Sequence, residues 1–497
     1  MISKSSTIKI LFFYKLTLCV LAIILFFSCS SEPSKINYLN NFNQFITHIE
    51  DQKSTRSNID WKTKEDSLNI FLDKKSRFRL NTADEENINK WVDTFNSLKG
   101  DLVDSKMNFN FYFENSASMN GYLDGKNFQQ VIHRIYGNLD EDDTNSYFVN
   151  TQSYPQENIL DRIDDKNIKE GDIKNSDHQF IFSNAIENAV NNNLSIVITD
   201  GIYSVKDGNV NIVSIDIENA FKKSLIKNEI ETVVLKLTSH FKGTYYSETC
   251  KPGKKAIKID QDRPYYVLLF GNSNSINRAL NTIAVPSELP GYKEQARFFL
   301  TKDLKADFTI LTLGEEKHGE FKPVNRGQNI VHNIVDAKKY ERPGFGGTPK
   351  NESYLQFAIA FDFNNVPLPN TYLENSSNYV IDDQVGYSIV DVKALESMDK
   401  SLRTYKETIN INEKNDSHYS HILTVKADKN LYGDLNIDIM NNLPSWIVAT
   451  GIDTDCNIKN DSTHTFAFDE LMIGISKAYQ KINATNSYLN FNLNIKY

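Results

Sequence analysis

Between Met107 and Ile283 short apolar runs alternate with segments of helical period. The apolar runs are NFNFYF, SYFVN, LSIVITDG, ETVVLKLTSHF and RPYYVLLFGN. Between the first two, KNFQQVIHRIYGNL places Phe128, Ile132, Ile135 and Leu139 on one helical face. HQFIFSNAIENAVNN, DIENAFKKSLIKN and NSINRALNTI carry the same spacing. Strands that are apolar throughout and separated by helices predict a mostly parallel, doubly wound α/β sheet covered on both faces. Ligands in such sheets bind at the carboxyl ends of the strands.

The flanks differ from this core. Residues 37–104 read as a helical segment, with Ile88, Trp91, Val92 and Phe95 on one face and Thr82, three residues before Glu85, as a helix start. The α/β domain is assigned to residues 105–290. Beyond it, residues 291–385 and 386–497 alternate apolar and polar residues with period two, as in FFLTKDLKADFTILTL, SYLQFAIAFDF, HILTVKAD and NSYLNFNLNIKY. These predict one or two sandwich-like β-rich regions, with the single helix FDELMIGISKAYQKIN packed on one of them. GFGGTP, from Gly344 to Pro349, is a turn without the GK[ST] of a phosphate loop.

The amino terminus is expected to leave the fold. Lys4, Lys9 and Lys15 precede the apolar run Leu16–Phe27, followed by Ser28 and Cys29. A basic region, a short apolar core and a small residue before the cut form a secretory signal over residues 1–28, with an uncleaved anchor helix as the alternative. LFFSC resembles the lipobox of bacterial lipoproteins, with Phe26 where that motif has Leu. The resemblance implies lipidation at Cys29, a tether over residues 29–36 and a cell-envelope location on the periplasmic side or the surface. Removal of Cys19 with the signal leaves Cys250 and Cys456, which can pair in an exported protein or remain buried thiols. The formal net charge of −9 argues against a nucleic-acid binder.

The first strand ends in FENSASMNGYLDG. Glu114, Ser116 and Ser118 alternate just past it, all hard oxygen donors of the kind Mg2+ takes. They can also serve only to fix the turn and cap the helix that follows. The order Glu114-Asn115-Ser116-Ala117-Ser118-Met119, with IVITDG ending in Thr199-Asp200-Gly201, resembles the von Willebrand factor A family. That family has Asp-x-Ser-x-Ser after its first strand and Thr-Asp-Gly after a later one; here Glu114 replaces the aspartate. The resemblance implies a metal-ion-dependent adhesion site holding Mg2+, or Mn2+ or Ca2+. Ser116 and Ser118 would be direct ligands, and Glu114 and Asp200 would hold the ion directly or through water. The family's loop threonine is matched by Ser176, which precedes a helix, rather than by Ser183 inside it. Asp177 would add charge or complement that helix.

Three functions follow. The first is a non-enzymatic, lipid-anchored envelope protein that engages a protein partner's acidic side chain through the cation. The second is a structural lipoprotein with a degenerate site. The third is a metal-assisted hydrolase, for which His240 is the nearby base with no acid seen to orient it. Asp260 and Asp262 read as a solvated turn, and His418 and His421 as a surface pair. No Gly-x-Ser-x-Gly and no Cys/His zinc spacing occur, so the chain is read as not an enzyme.

Overall fold

The structure is a computed structural model that describes residues 35–54, 61–75, 77–103, 107–204, 210–302, 304–314, 316–324, 330–341, 353–381, 386–395, 419–483 and 485–497. The signal segment, Cys29, the GFGGTP turn and His418 lie outside the described residues. Two compact units are formed: residues 35–50 with 62–98, and residues 99–497 with 51–61.

The first unit is helical: α1 (Lys35–Ser54), α2 (Trp61–Lys75) and α3 (Thr82–Val103). Phe42 of α1 stacks on Phe71 at 4.9 Å and meets Trp91 at 5.3 Å. α3 starts at Thr82, as the sequence reading has it, but with a different capping pair. Asn81 and Asp84, rather than Thr82 and Glu85, exchange side-chain to backbone hydrogen bonds at 2.9 and 3.0 Å.

The second unit is built on β1 (Phe109–Glu114), α4 (Lys126–Gly137), β2 (Thr144–Val149), β3 (Ser153–Gln156), α5 (Ile159–Asp164), α6 (His178–Asn188), β4 (Leu194–Thr199), α7 (Asn211–Leu225), β5 (Glu231–Tyr246), β6 (Ala256–Gly271), α8 (Ser273–Arg278) and β7 (Tyr292–Phe298). The strands form one seven-stranded sheet in the order β3-β2-β1-β4-β6-β5-β7. β2, β1 and β4 are parallel neighbours, as their helical connections require. The other neighbours are antiparallel. The sheet is therefore mixed. β5 runs straight into β6 through a hairpin, so β6 enters beside β4 in the opposite direction. The apolar runs at β5 and β6 look the same in sequence whether the strands are parallel or antiparallel.

The β-rich remainder comprises β8 (Phe308–Ile310), β9 (Glu320–Pro323), β10 (Asn333–Lys338), β11 (Tyr340–Glu341), β12 (Ser353–Phe361), α9 (Asn370–Leu373), β13 (Tyr379–Ile381), β14 (Tyr387–Ala394), β15 (His421–Ala427), β16 (Gly433–Met440), α10 (Ser445–Val448), β17 (Gly451–Ile452), β18 (Thr465–Phe466), α11 (Phe468–Asn483) and β19 (Ser487–Lys496). Two sheets, β13-β16-β19-β10-β9 and β11-β12-β15-β14, share one apolar core. In it Phe361 and Phe491 meet at 4.5 Å.

Three expectations change here. β7 begins at Tyr292 but pairs with β5, so it belongs to the α/β sheet. α11 packs in the α/β core rather than on the sandwich: Phe468 stacks on Tyr266 at 3.9 Å, and Gly474 lies against α7, where an added Cβ would sit 2.6 Å from the Ser214 carbonyl. His421 is buried, with its Nδ1 2.9 Å from Ser420 Oγ, and is no surface residue. Cys250 and Cys456 form a disulfide with Cα atoms 5.1 Å apart.

Candidate cation site

β1 and β4 are adjacent and parallel, so their carboxyl ends, Glu114 and Thr199-Asp200, emerge side by side. The loop after β1 is held by Asn115, buried at 0 % exposure. Its Nδ2 donates to the carbonyls of Ile168 at 3.0 Å and Glu170 at 2.8 Å, and its Oδ1 accepts from Asn150 at 3.1 Å. With the backbone fixed there, Ser116 and Ser118 come together, Oγ to Oγ at 3.0 Å, and Ser118 donates to Asp200 Oδ2 at 2.5 Å. Ser176, just ahead of α6, donates its hydroxyl to Glu114 Oε1. Asp177 caps α6, accepting from the Phe180 N–H at 3.0 Å.

The five residues singled out from the sequence thus meet in one place, and two further residues join them. Thr199 donates its hydroxyl to Glu114 Oε2 and accepts from the Gly201 N–H at 2.8 Å. His178 Nε2 lies 3.2 Å from Thr199 Oγ1 and 3.8 Å from Glu114 Oε2. With the Thr199 hydrogen engaged by Glu114, His178 serves as the Nε2–H donor, and its Nδ1 is a buried acceptor without a hydrogen-bond partner. Thr199 belongs to the Thr-Asp-Gly motif, which by itself assigns it no role. His178 carried only its place as the first residue of α6.

The electrostatics follow from burial. Glu114 and Asp200 are 0 % and 1 % exposed. Burial pushes the Glu114 carboxyl up from its ordinary range, opposed by hydrogen bonds from Ser176, Thr199 and Ser116 and from the Asp200 backbone. Burial, and then the neighbouring Glu114, push Asp200 up to about 7, against the Ser118 and Ile202 hydrogen bonds. Burial pulls His178 down to about 4, so it is neutral at physiological pH. Among the described residues neither carboxylate has a lysine or arginine partner.

His240, Asp260 and Asp262 are placed differently from the sequence reading. The two acids lie in β6, not in a turn, and flank His240 of β5 at 2.9 and 3.5 Å. His240 therefore does have acids beside it, on an exposed face of the hairpin. A groove of about 910 Å3, lined in part by Tyr136, Glu141, Asp142, Glu157 and Asp161, opens at the other edge of the sheet, where β2 begins. It is not part of the Glu114–Asp200 cluster.

No family model matches the chain, and no curated protein or solved structure shows significant similarity to it. Among the described residues no helix is long and apolar enough to cross a membrane. Nor is any group of three or more His, Cys, Asp or Glu placed to hold a metal ion. The cluster at β1 and β4 draws instead on two carboxylates and three serine hydroxyls. That donor set suits a hard cation, which accepts neutral oxygens and retains water.

Proposed function

We propose that this chain is a lipid-anchored cell-envelope protein that engages an acidic group of a protein partner through a divalent cation, with no catalytic role. Glu114, Ser116, Ser118, Ser176 and Asp200 would hold the ion, Mg2+ first, with Mn2+ or Ca2+ as substitutes, in a von Willebrand A-like arrangement. The observation that carries this reading is the meeting of two buried carboxylates, neither with a lysine or arginine partner among the described residues, with three serine hydroxyls, two on the loop after β1 and one just ahead of α6. Buried charge of one sign calls for a counter-charge or a proton. A bound cation supplies the counter-charge and offers an open coordination position to a partner's carboxylate. The parallel run β2-β1-β4 supports the arrangement, and the antiparallel β6 departs from it.

A structural role has its own support. The four carboxyl oxygens already accept hydrogen bonds from Ser176, Thr199, Ser118 and the Ile202 N–H. A proton on one carboxyl would balance the buried charge without an ion. Calorimetry with Mg2+, Mn2+ and Ca2+ on the wild-type chain and on the Asp200→Ala/Ser118→Ala double variant separates the two. Saturable binding lost in the variant supports the cation site. No heat, with a melting temperature unmoved by chelator, leaves the structural role.

A further inference from the structure

β1 and β4 are six residues long, whereas β5 and β6 each have sixteen. Thr199, the last residue of β4, pairs with Tyr266, and Tyr266 pairs with Lys236. Everything from Leu237 to Tyr246 and from Ala256 to Tyr265 therefore overhangs the edge at which Glu114 and Asp200 emerge. The overhang presses on the loop that carries Ser118. The Phe241 ring lies where a Cβ on Gly121 would fall, 2.3 Å away, and Gly243 approaches so closely that its own Cβ would lie 2.8 Å from Gly121 Cα. Two glycines face each other because no side chain fits between the strand and the turn.

The tip of the hairpin is fastened beyond what a hairpin needs. Asp455, 0 % exposed, accepts from Tyr245 Oη at 3.0 Å, Ser247 Oγ at 2.5 Å, Thr249 Oγ1 at 2.6 Å and the N–H groups of Glu248 and Thr249 at 2.9 and 3.1 Å. One residue further on, Cys456 is bonded to Cys250. Between these anchors stands Glu248. Its Oε1 lies 3.5 Å from Ser204 Oγ, which accepts from the Ser176 N–H at 3.4 Å, and the Ser176 hydroxyl is bonded to Glu114. Glu248 is thus a third carboxylate, connected to the buried pair through two serines.

We propose that the tip of the β5–β6 hairpin is a cover on the cluster of Glu114 and Asp200, latched by Asp455 and the Cys250–Cys456 bond, with Glu248 closing its rim through Ser204. Its role as a gate for a cation rests on the proposed function; its role as a cover does not. In the latched state a cation enters and leaves slowly. When a dithiol reduces the bond, giving two cysteine thiols and the cyclic disulfide of the reductant, only the Asp455 contacts remain and exchange quickens.

The test uses the full-length chain with two readouts. The first is hydrogen–deuterium exchange over residues 116–121 and 200–204 in chelator, before and after dithiothreitol, with Cys456→Ser as a reductant-free control. The second is release of Mn2+ to excess chelator in the wild type, in Cys456→Ser and in Glu248→Gln. Exchange at both segments should rise at least tenfold on reduction while the sandwich strands stay protected. Mn2+ release should quicken at least tenfold in both variants. Unchanged exchange at the two segments, in reduced protein and in Cys456→Ser alike, overturns the cover even if Mn2+ binds. Faster exchange in a chain that binds no Mn2+ keeps the cover and removes the cation reading.

Discussion

Ser118 donates its hydroxyl hydrogen to Asp200 Oδ2 at 2.5 Å, joining the loop after β1 to the end of β4 across 82 positions of sequence. The contact has a consequence for protons. Burial and then Glu114 push the Asp200 carboxyl up to about 7, against the Ser118 hydrogen bond, so below that pH the cation-free chain carries a proton there. A cation must displace that proton. Mn2+ affinity should therefore rise as pH is raised from 5 toward 8, by about tenfold per pH unit for each proton displaced. Calorimetry at pH 5.5, 6.5 and 8 reads it; a flat affinity across that range would disconnect Asp200 from the ion.

The same shift makes a stability prediction of definite sign. Asp200 titrates near 4 in the unfolded chain and near 7 in the folded one, so between those values the native state holds the extra proton. Its contribution is present below about pH 4 and is lost as pH rises to about 7. His178 runs the other way. Its folded value near 4 lies below the unfolded 6.5, so stability is lost as pH falls from 6.5 to 4. Asp200→Asn removes the acid's opposing effect while that of His178 stays, and the melting temperature should fall more steeply from pH 7 to 5 than in the wild type. An identical slope in the two proteins would mean that the acid keeps an ordinary pKa.

Gly121→Ala tests the overhang. The new Cβ would meet the Phe241 ring at 2.3 Å, and the ring is hemmed in by Tyr122, whose centroid is 5.0 Å away. Overpacking of this kind costs about 1–3 kcal/mol. Denaturant unfolding should show that loss, and Phe241→Leu in the same chain should recover part of it. A neutral Gly121→Ala would place the hairpin further from the turn.

Asp455→Ala should be more costly. Burial pushes the Asp455 carboxyl up, but the donors from Ser247, Thr249 and Glu248 outweigh it and hold the group below the usual carboxylate range. Removing the acceptor leaves several buried donors unsatisfied, at about 1–3 kcal/mol for each one that finds no water. The depressed pKa gives stability that is present above about pH 4 and is lost as pH falls through the folded value. Thermal melts of wild type and Asp455→Ala should therefore lie far apart at pH 7 and converge toward pH 2. A constant gap would show that the charge of Asp455 contributes nothing.

The sequence made the cluster legible where chemistry and period coincide. Glu114, Ser116 and Ser118 follow an apolar strand, and Asp200 follows another; two parallel neighbours are enough to bring them together. His178 and Thr199 were hidden because a histidine opening a helix and a threonine ending a strand have many structural uses. Asp260 and Asp262 misled because acids beside a proline suggest a turn, whereas β6 carries them on the exposed face of a strand that outruns the sheet. Asp455 and Glu248 sit on loops 207 residues apart, and no local pattern announces such a pair.

The placement of α11 is the clearest case of information that the sequence lacks. Leu471, Ile475, Ala478 and Tyr479 mark a buried face but do not say against what. The period of an amphipathic helix specifies a stripe, not a partner. The structure sends the helix back to the α/β sheet: Tyr479 Oη bonds the Ile230 carbonyl at 2.9 Å, and Phe468 stacks on Tyr266, beside Gly201 of the Thr-Asp-Gly turn. Gly201 has φ +70°, and a Cβ there would fall 2.8 Å from the Tyr266 ring, so Phe468, Tyr266 and the Asp200 turn are packed as one layer. Phe468→Ala should cost about 3–5 kcal/mol as a buried aromatic deletion. Because Tyr266 then loses its stacking partner, the variant should also weaken Mn2+ binding several-fold at a temperature where it remains folded by circular dichroism. A variant that melts earlier yet binds Mn2+ with wild-type affinity would show that α11 supports the sheet without shaping the site.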